Sequence, residues 1–204
     1  MTKSDGRKKA RLIAKGFSQI EGIDFDQIFS LVVWYESICL LLVIAALEQW
    51  HIEGLDVKSA FLYGPLDEEI YMEQPEGFKV KGQGCKVLHM CWALYGLKQA
   101  ALQWWKELQK SMAQLGFKRT QSDAGIFIHT ASNGDKVIAM IYVDDAGFMG
   151  SNLALVKKKK QAFMAIWECQ DLGTLKEFLG ITIKCYGQII ELNQKTYPDK
   201  VLEH

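Results

Sequence analysis

The sequence predicts an α+β domain in which an antiparallel sheet carries two helices on one face, threaded in the order βαββαβ. Three observations lead there. A short strand ends at Asp56, a long helix with a broad apolar face follows it, and a hairpin whose second strand ends at Asp144-Asp145 precedes another helix and a final strand.

Composition bounds the class of molecule. At 204 residues and 49% hydrophobic, the chain can bury a real core. Its formal net charge of zero gives no whole-chain attraction for nucleic acid, so any basic surface must be local. The five cysteines, Cys39, Cys85, Cys91, Cys169 and Cys185, are odd in number, lack CxxC spacing and fall within strands and helices, which implies a reduced, intracellular and cytoplasmic chain. The longest apolar run, Ile38 to Leu47, is too short for a bilayer span, and the N-terminal residues lack the apolar stretch of a signal peptide, so no membrane partner is expected.

Arg7, Lys8, Lys9, Arg11 and Lys15 surround Leu12, Ile13 and Ala14, a basic arm of an exposed hairpin after the turn-like Ser4-Asp5-Gly6. From Ser37 to Trp50 the apolar residues keep a helical period behind Glu36. His51 to Val57 reads as a strand, Ser59 to Leu62 as a turn into a helical stub closed by Gly64-Pro65, and Glu69 to Gln74 and Cys85 to Cys91 as two further strands. Leu94, Leu97, Ala101, Trp104, Trp105, Leu108, Met112 and Leu115 give the long helix its apolar face, with Gly116 as its stop. Ile126 to His129 and Val137 to Val143 form the hairpin around Ser132 to Asp135, and Ala146 to Gly150 carries the chain back. Leu153 to Cys169 is helical by period, Phe178 to Lys184 and Gln188 to Leu192 pair around Tyr186-Gly187, and Lys195 to Glu203 begins a helix. This ferredoxin-like series is the palm layout of many nucleotide polymerases and of many unrelated proteins.

The chemistry is concentrated in Asp56, Asp144 and Asp145. In-line displacement at a phosphate uses two neighbouring divalent ions, and such hard cations require carboxylate ligands. Adjacent aspartates on a regular strand point to opposite faces, so both reach one metal only where the backbone turns, which Ala146-Gly147 permits. The alternative is that Asp-Asp simply caps a hairpin. Lys157 to Lys160 have two readings, a solvated helix turn or a stripe along a nucleic-acid backbone. The four histidines show no ligand spacing, and Trp104 and Trp105 sit where packing explains them.

Leu55 to Phe78 (LDVKSAFLYGPLDEEIYMEQPEGF), Ala93 to Ala100 (ALYGLKQA), Ile141 to Asp145 (IYVDD) and Asp171 to Ile181 (DLGTLKEFLGI) resemble, in order and spacing, the reverse transcriptases of copia-type LTR retrotransposon Pol polyproteins. Ala10 to Ser30 resembles the segment preceding them, so the resemblance covers nearly the whole chain. It implies an RNA-directed DNA polymerase that adds dNTPs to a DNA primer on an RNA or DNA template, with two Mg²⁺ ions, or Mn²⁺, as cofactors. Asp56 and Asp144 would bind both ions and Asp145 would be the third carboxylate. Phe61 matches the bulky residue beneath the incoming sugar, Arg11 a fingers residue gripping the triphosphate, and Tyr95, Gly96, Leu97, Lys98 and Gln99 the segment holding the templating base pair and nucleotide. The implied domains are a partial fingers region with its following helix over 1–50, a palm over 51–193 and the start of a thumb or connection over 194–204. Integrase and RNase H would adjoin in an intact element, inside a cytoplasmic virus-like particle.

Leu31, Trp34 and Cys39 stand where related sequences carry proline, a basic residue and arginine, and Ala101-Leu102 replaces Pro-Arg. These departures suit a degenerate copy. The unpaired fingers strand and the thumb cut off near His204 lead us to expect a fragment with negligible primer extension by itself. The alternatives are a non-catalytic palm fragment and a palm-like nucleotide cyclase, the latter ill-suited to Leu55–Phe78 and Tyr95–Gln99.

Overall fold

The computed structural model describes residues 8, 10–28, 30, 32–186 and 189–194. Its first elements are α1 (Tyr35–Leu47), β1 (His51–Val57), β2 (Pro65–Glu73), β3 (Val87–Trp92), α2 (Ala100–Gln114) and β4 (Lys118–Arg119). Then come β5 (Ile126–Thr130), β6 (Lys136–Tyr142), β7 (Asp145–Gly150), α3 (Leu153–Met164) and β8 (Cys169–Thr174). A small sheet closes the series with β9 (Glu177–Phe178), β10 (Ile181–Tyr186) and β11 (Ile189–Asn193). All strand pairings within the sheets are antiparallel, as the α+β reading expects.

Contacts divide the chain into two compact units, Met1–Ser30 with Ser59–Glu107 and Leu31–Lys58 with Leu108–His204. The second unit holds a six-stranded sheet in the order β4-β5-β6-β7-β1-β8. Its register puts Ile52, Gly54 and Asp56 of β1 on the face that also carries Met149, Gly147 and Asp145 of β7. On that face Ile52, Met140 and Met149 pack with Ile38, Leu41, Leu42 and Ala45 of α1. The opposite face stacks Phe148 edge-on against Phe163 of α3 and against Phe117. Helices therefore cover both faces, which adds α1 to the single helical layer expected.

Three local readings are corrected. Ala146 to Gly150 carries the chain back as expected, as part of the buried central strand β7, but a Cβ on Gly147 would come 2.5 Å from Met140 Cε, so this glycine serves close packing and not the expected turn. The helix after Gly150 stops at Met164, and Cys169 opens β8, whose mostly exposed residues give no period-two signal. That strand, and not Phe178 to Lys184, completes the main sheet; the latter segment pairs in the separate β9-β10-β11 sheet.

Helix termini follow their sequence signals where capping chemistry is present. Asn152 caps α3 by accepting from the Leu155 N–H at 3.1 Å. Gly116, with φ +79°, ends α2 in a Schellman motif: the Phe117 N–H donates to the Met112 carbonyl at 2.9 Å and Gly116 to Ala113 at 3.0 Å. At its other end α2 begins at Ala100 and not at Leu94, because Gly96 takes φ +94°.

In the first unit, β2 and β3 form a hairpin with Tyr71 opposite His89. Ala14, Ile70, Ala93, Leu97 and Ala100 make its core, with Phe61 packed at the edge. The expected turn at Ser4 to Gly6, the Gly187 turn and the helix from Lys195 lie outside the described residues, as does Leu31.

Candidate active site

Asp56 lies next to the end of β1 and is the direct cross-strand partner of Asp145 at the start of β7. Residues so paired share a face, with Cβ atoms about 4.5–5.5 Å apart. Asp144 occupies the two-residue turn Val143-Asp144 between β6 and β7, and its carbonyl accepts from the Val57 N–H at 2.7 Å. The turn thus falls at Val143-Asp144, earlier than the Ala146-Gly147 expected. Val143 holds φ +55°, a left-handed conformation that a β-branched residue adopts only when its surroundings impose it. Strain at this turn separates the adjacent aspartates from the strict up-down alternation of a strand.

Burial pushes the Asp145 carboxyl up to about 6, and the charges of Asp144, Asp56 and Glu177 add to the rise. A carboxyl raised in this way binds protons more tightly folded than unfolded. Its contribution therefore favours the folded chain at low pH and is lost as pH climbs from the ordinary value of 3.8 through about 6. In EDTA, urea denaturation is expected to show this decline, and Asp145→Asn to flatten it. The same acidic field reaches Cys169, opposite Val57, whose thiol is pushed up to about 11 by burial first and then by Asp56 and Glu168. Such a thiol is inert as a nucleophile.

The donor set is chemically suited to Mg²⁺ or Mn²⁺, being carboxylate oxygens held close enough to repel one another. Among the described residues no three His, Cys, Asp or Glu side chains already converge to metal-holding distance. An ion would therefore have to gather them.

The residues expected to bind nucleotide lie in the first unit. Arg11 sits 5.7 Å from the centroid of the Tyr95 ring, and Tyr95 meets Phe61 edge-on at 5.3 Å, so the structure brings these three into one row. Phe61 is half-buried. A Cβ on Gly96 would come 2.2 Å from the Ala14 carbonyl oxygen, so the glycine lets two backbone segments meet, and the Ala14 N–H donates to the Tyr95 carbonyl at 2.7 Å. Gln99 is fully buried; it donates to the Asp24 carbonyl at 2.8 Å and accepts from Gln19 Nε2 at 3.0 Å. Lys98 Nζ donates to the Gln19 carbonyl at 3.1 Å and lies 4.7 Å from the Phe25 ring centroid.

A family model described as reverse transcriptase (RNA-dependent DNA polymerase) matches residues 1–204. The chain belongs to the reverse transcriptase family. This reverse transcriptase domain is 42% identical over 199 residues to a retrovirus-related Pol polyprotein from transposon TNT 1-94 of Nicotiana tabacum, covering 97% of this chain and 15% of that protein. It is 38% identical over 198 residues to a Pol polyprotein from transposon RE2 of Arabidopsis thaliana, covering 95% and 14%. A Ty1-BL Gag-Pol polyprotein of Saccharomyces cerevisiae is 28% identical over 152 residues, covering 74% and 8%. The resemblance to copia-type Pol polyproteins is borne out, and the domain spans about 15% of the first relative's length. No helix among the described residues is long and apolar enough to cross a membrane.

Sequence reasoning missed two charged groups of the reverse transcriptase domain. Glu177, inside the quoted DLGTLKEFLGI segment, adds its charge to the field at Asp145. Lys160 fits neither reading of the lysine run: it is buried at 2% exposure, with Nζ 2.9 Å from Glu53 Oε2 and paired also with Asp171. The signal was available, since Lys160 falls four residues after Val156 and three before Phe163, both buried on the inner face of α3. Lys157 and Lys158 are exposed, and Lys159 donates to the Leu115 carbonyl at 2.8 Å, capping α2.

Proposed function

We propose that this domain carries the two-metal site of an RNA-directed DNA polymerase, with Asp56, Asp144 and Asp145 as metal ligands. The cross-strand pair of Asp56 with Asp145, with Asp144 at the adjoining turn, carries the reading. Two bound divalent ions would activate a primer 3′-hydroxyl and stabilise the leaving oxygen at the α-phosphate of a dNTP. Asp56 and Asp144 would hold both, and Asp145 would complete the set. The strand order β6-β7-β1-β8, reached through α2 and α3, supports a polymerase palm of the ferredoxin-like type.

In the first unit Arg11 grips the triphosphate with its planar guanidinium, and Tyr95, Gly96, Lys98 and Gln99 set the platform for the nucleotide and templating base pair. The Gln99 and Lys98 bonds to Gln19, with the Gly96 contact to Ala14, give that platform rigidity. Phe61 excludes the ribose 2′-hydroxyl. Phe61→Ala is expected to relax discrimination against ribonucleotides, read as the ratio of kcat/KM for dNTP and NTP; an unchanged ratio would return Phe61 to a packing role. RNA template, DNA primer and the integrase and RNase H regions of a Pol polyprotein are the partners this reading requires.

A second reading, a non-catalytic palm module, is favoured by Trp34, which is 62% exposed where the resemblance expects a basic residue. One experiment separates them. The chain is exchanged for the matching segment of the Nicotiana tabacum polyprotein, and RNA-templated extension of a DNA primer is assayed with Mg²⁺. Extension supports the polymerase; its absence, with the parent polyprotein active, favours the module.

A further inference from the structure

We propose that Lys160 is a positioning residue for Asp56: it keeps the acidic face of β1 free of a competing carboxylate by holding Asp171 and Glu53 on the opposite face. The proposal rests on the reading of Asp56 as a metal ligand.

The register between β1 and β8 carries the argument. Glu53 pairs with Thr174 and Gly54 with Gly173, but Leu55 pairs with Asp171 and Asp56 with Gln170, so Leu172 is an extra residue forming a β-bulge. Unbulged pairing from the same start would place Leu172 opposite Leu55 and Asp171 opposite Asp56. Like charges directly opposite repel, and a fourth carboxylate would then compete with Asp56 for any cation. The bulge shifts the strand by one residue and so turns Asp171 to the Leu55 face. Two hydrogen bonds and one left-handed glycine hold it there. Asp171 Oδ1 accepts from Lys160 Nζ, the same oxygen accepts from the Gly173 N–H at 2.7 Å, and Gly173 takes φ +65°. Lys160 also reaches Glu53 Oε2 at 2.9 Å, tying β1 to α3 three residues before Asp56. Glu53 is 6% exposed and Lys160 2%, so neither ion is a surface accident: burying such charges is costly unless their partners are fixed.

The test is Mn²⁺ affinity of the full 204-residue chain, followed by electron paramagnetic resonance, with thermal unfolding as the check on folding. Glu53→Gln/Lys160→Met removes the clamp without stranding a buried charge, since the Asp171 side chain is half exposed, and it leaves the Asp171 carboxylate in place to compete. It is expected to unfold near the wild-type temperature and to bind Mn²⁺ about 10–100-fold more weakly, and adding Asp171→Asn is expected to restore wild-type binding. Gly173→Ala, at a position where a Cβ meets nothing within 4 Å, loosens the bulge through its backbone alone and is expected to weaken Mn²⁺ binding in the same direction. Unchanged affinity in the folded double variant or in folded Gly173→Ala overturns the positioning role. Asp144→Asn distinguishes the two levels. If it leaves wild-type Mn²⁺ binding intact, the metal-site reading fails and the proposal with it; if it abolishes binding while the clamp variants bind normally, only the role of Lys160 fails.

Discussion

Asp144→Asn in the polyprotein exchange is expected to slow RNA-templated primer extension by about 1000-fold or more, since metal ligation supplies several kcal/mol of transition-state stabilisation and each 1.36 kcal/mol is about tenfold. The substitution keeps size and hydrogen-bonding capacity while removing the charge. Asp144 sits at a turn and not in the core, so its loss should leave the fold intact. Single-turnover kinetics at saturating dNTP would measure the effect, with Glu191→Gln on β11 as a control expected to change nothing. An Asp144→Asn enzyme extending at the parental rate would remove this carboxylate from the chemistry.

Lys160→Met alone is expected to destabilise the chain by about 3–5 kcal/mol, because it leaves Glu53 buried and unpaired. The same change at Lys157, on the exposed side of α3, is expected to stay within about 0.5 kcal/mol. Urea denaturation of the two variants compares them directly, and the contrast is between neighbouring lysines of one run. A Lys160→Met chain as stable as Lys157→Met would mean that Glu53 finds water or another donor.

The position of the Asp144-Asp145 pair was legible because the strand before it advertises itself. Val137 to Tyr142 is apolar, β-branched and bounded by turn residues, and Asp144-Asp145 closes it within a longer family segment. What escaped the sequence was set by tertiary context. Asp145 to Gly150 is short and glycine-rich, with nothing to mark it as a central strand until Phe148 and Met149 find packing partners on opposite faces. Residues Cys169 to Thr174 lack alternation because β8 lies at the sheet's edge and carries the Leu172 bulge. Lys160 looked like part of a solvated run because four consecutive lysines obscure the helical spacing that places it with Val156 and Phe163 on the buried side. Gln99 lay inside a recognised motif, yet its complete burial and its bonds to Asp24 and Gln19 join residues far apart in sequence.

The most direct measurement of the central claim is anomalous diffraction from crystals of the chain grown with Mn²⁺ and a dNTP. The account predicts two Mn²⁺ peaks about 3.5–4 Å apart, ligated by Asp56 and Asp144 with Asp145 alongside. Mn²⁺ bound elsewhere, with the Asp56, Asp144 and Asp145 carboxylates left apart, would contradict it.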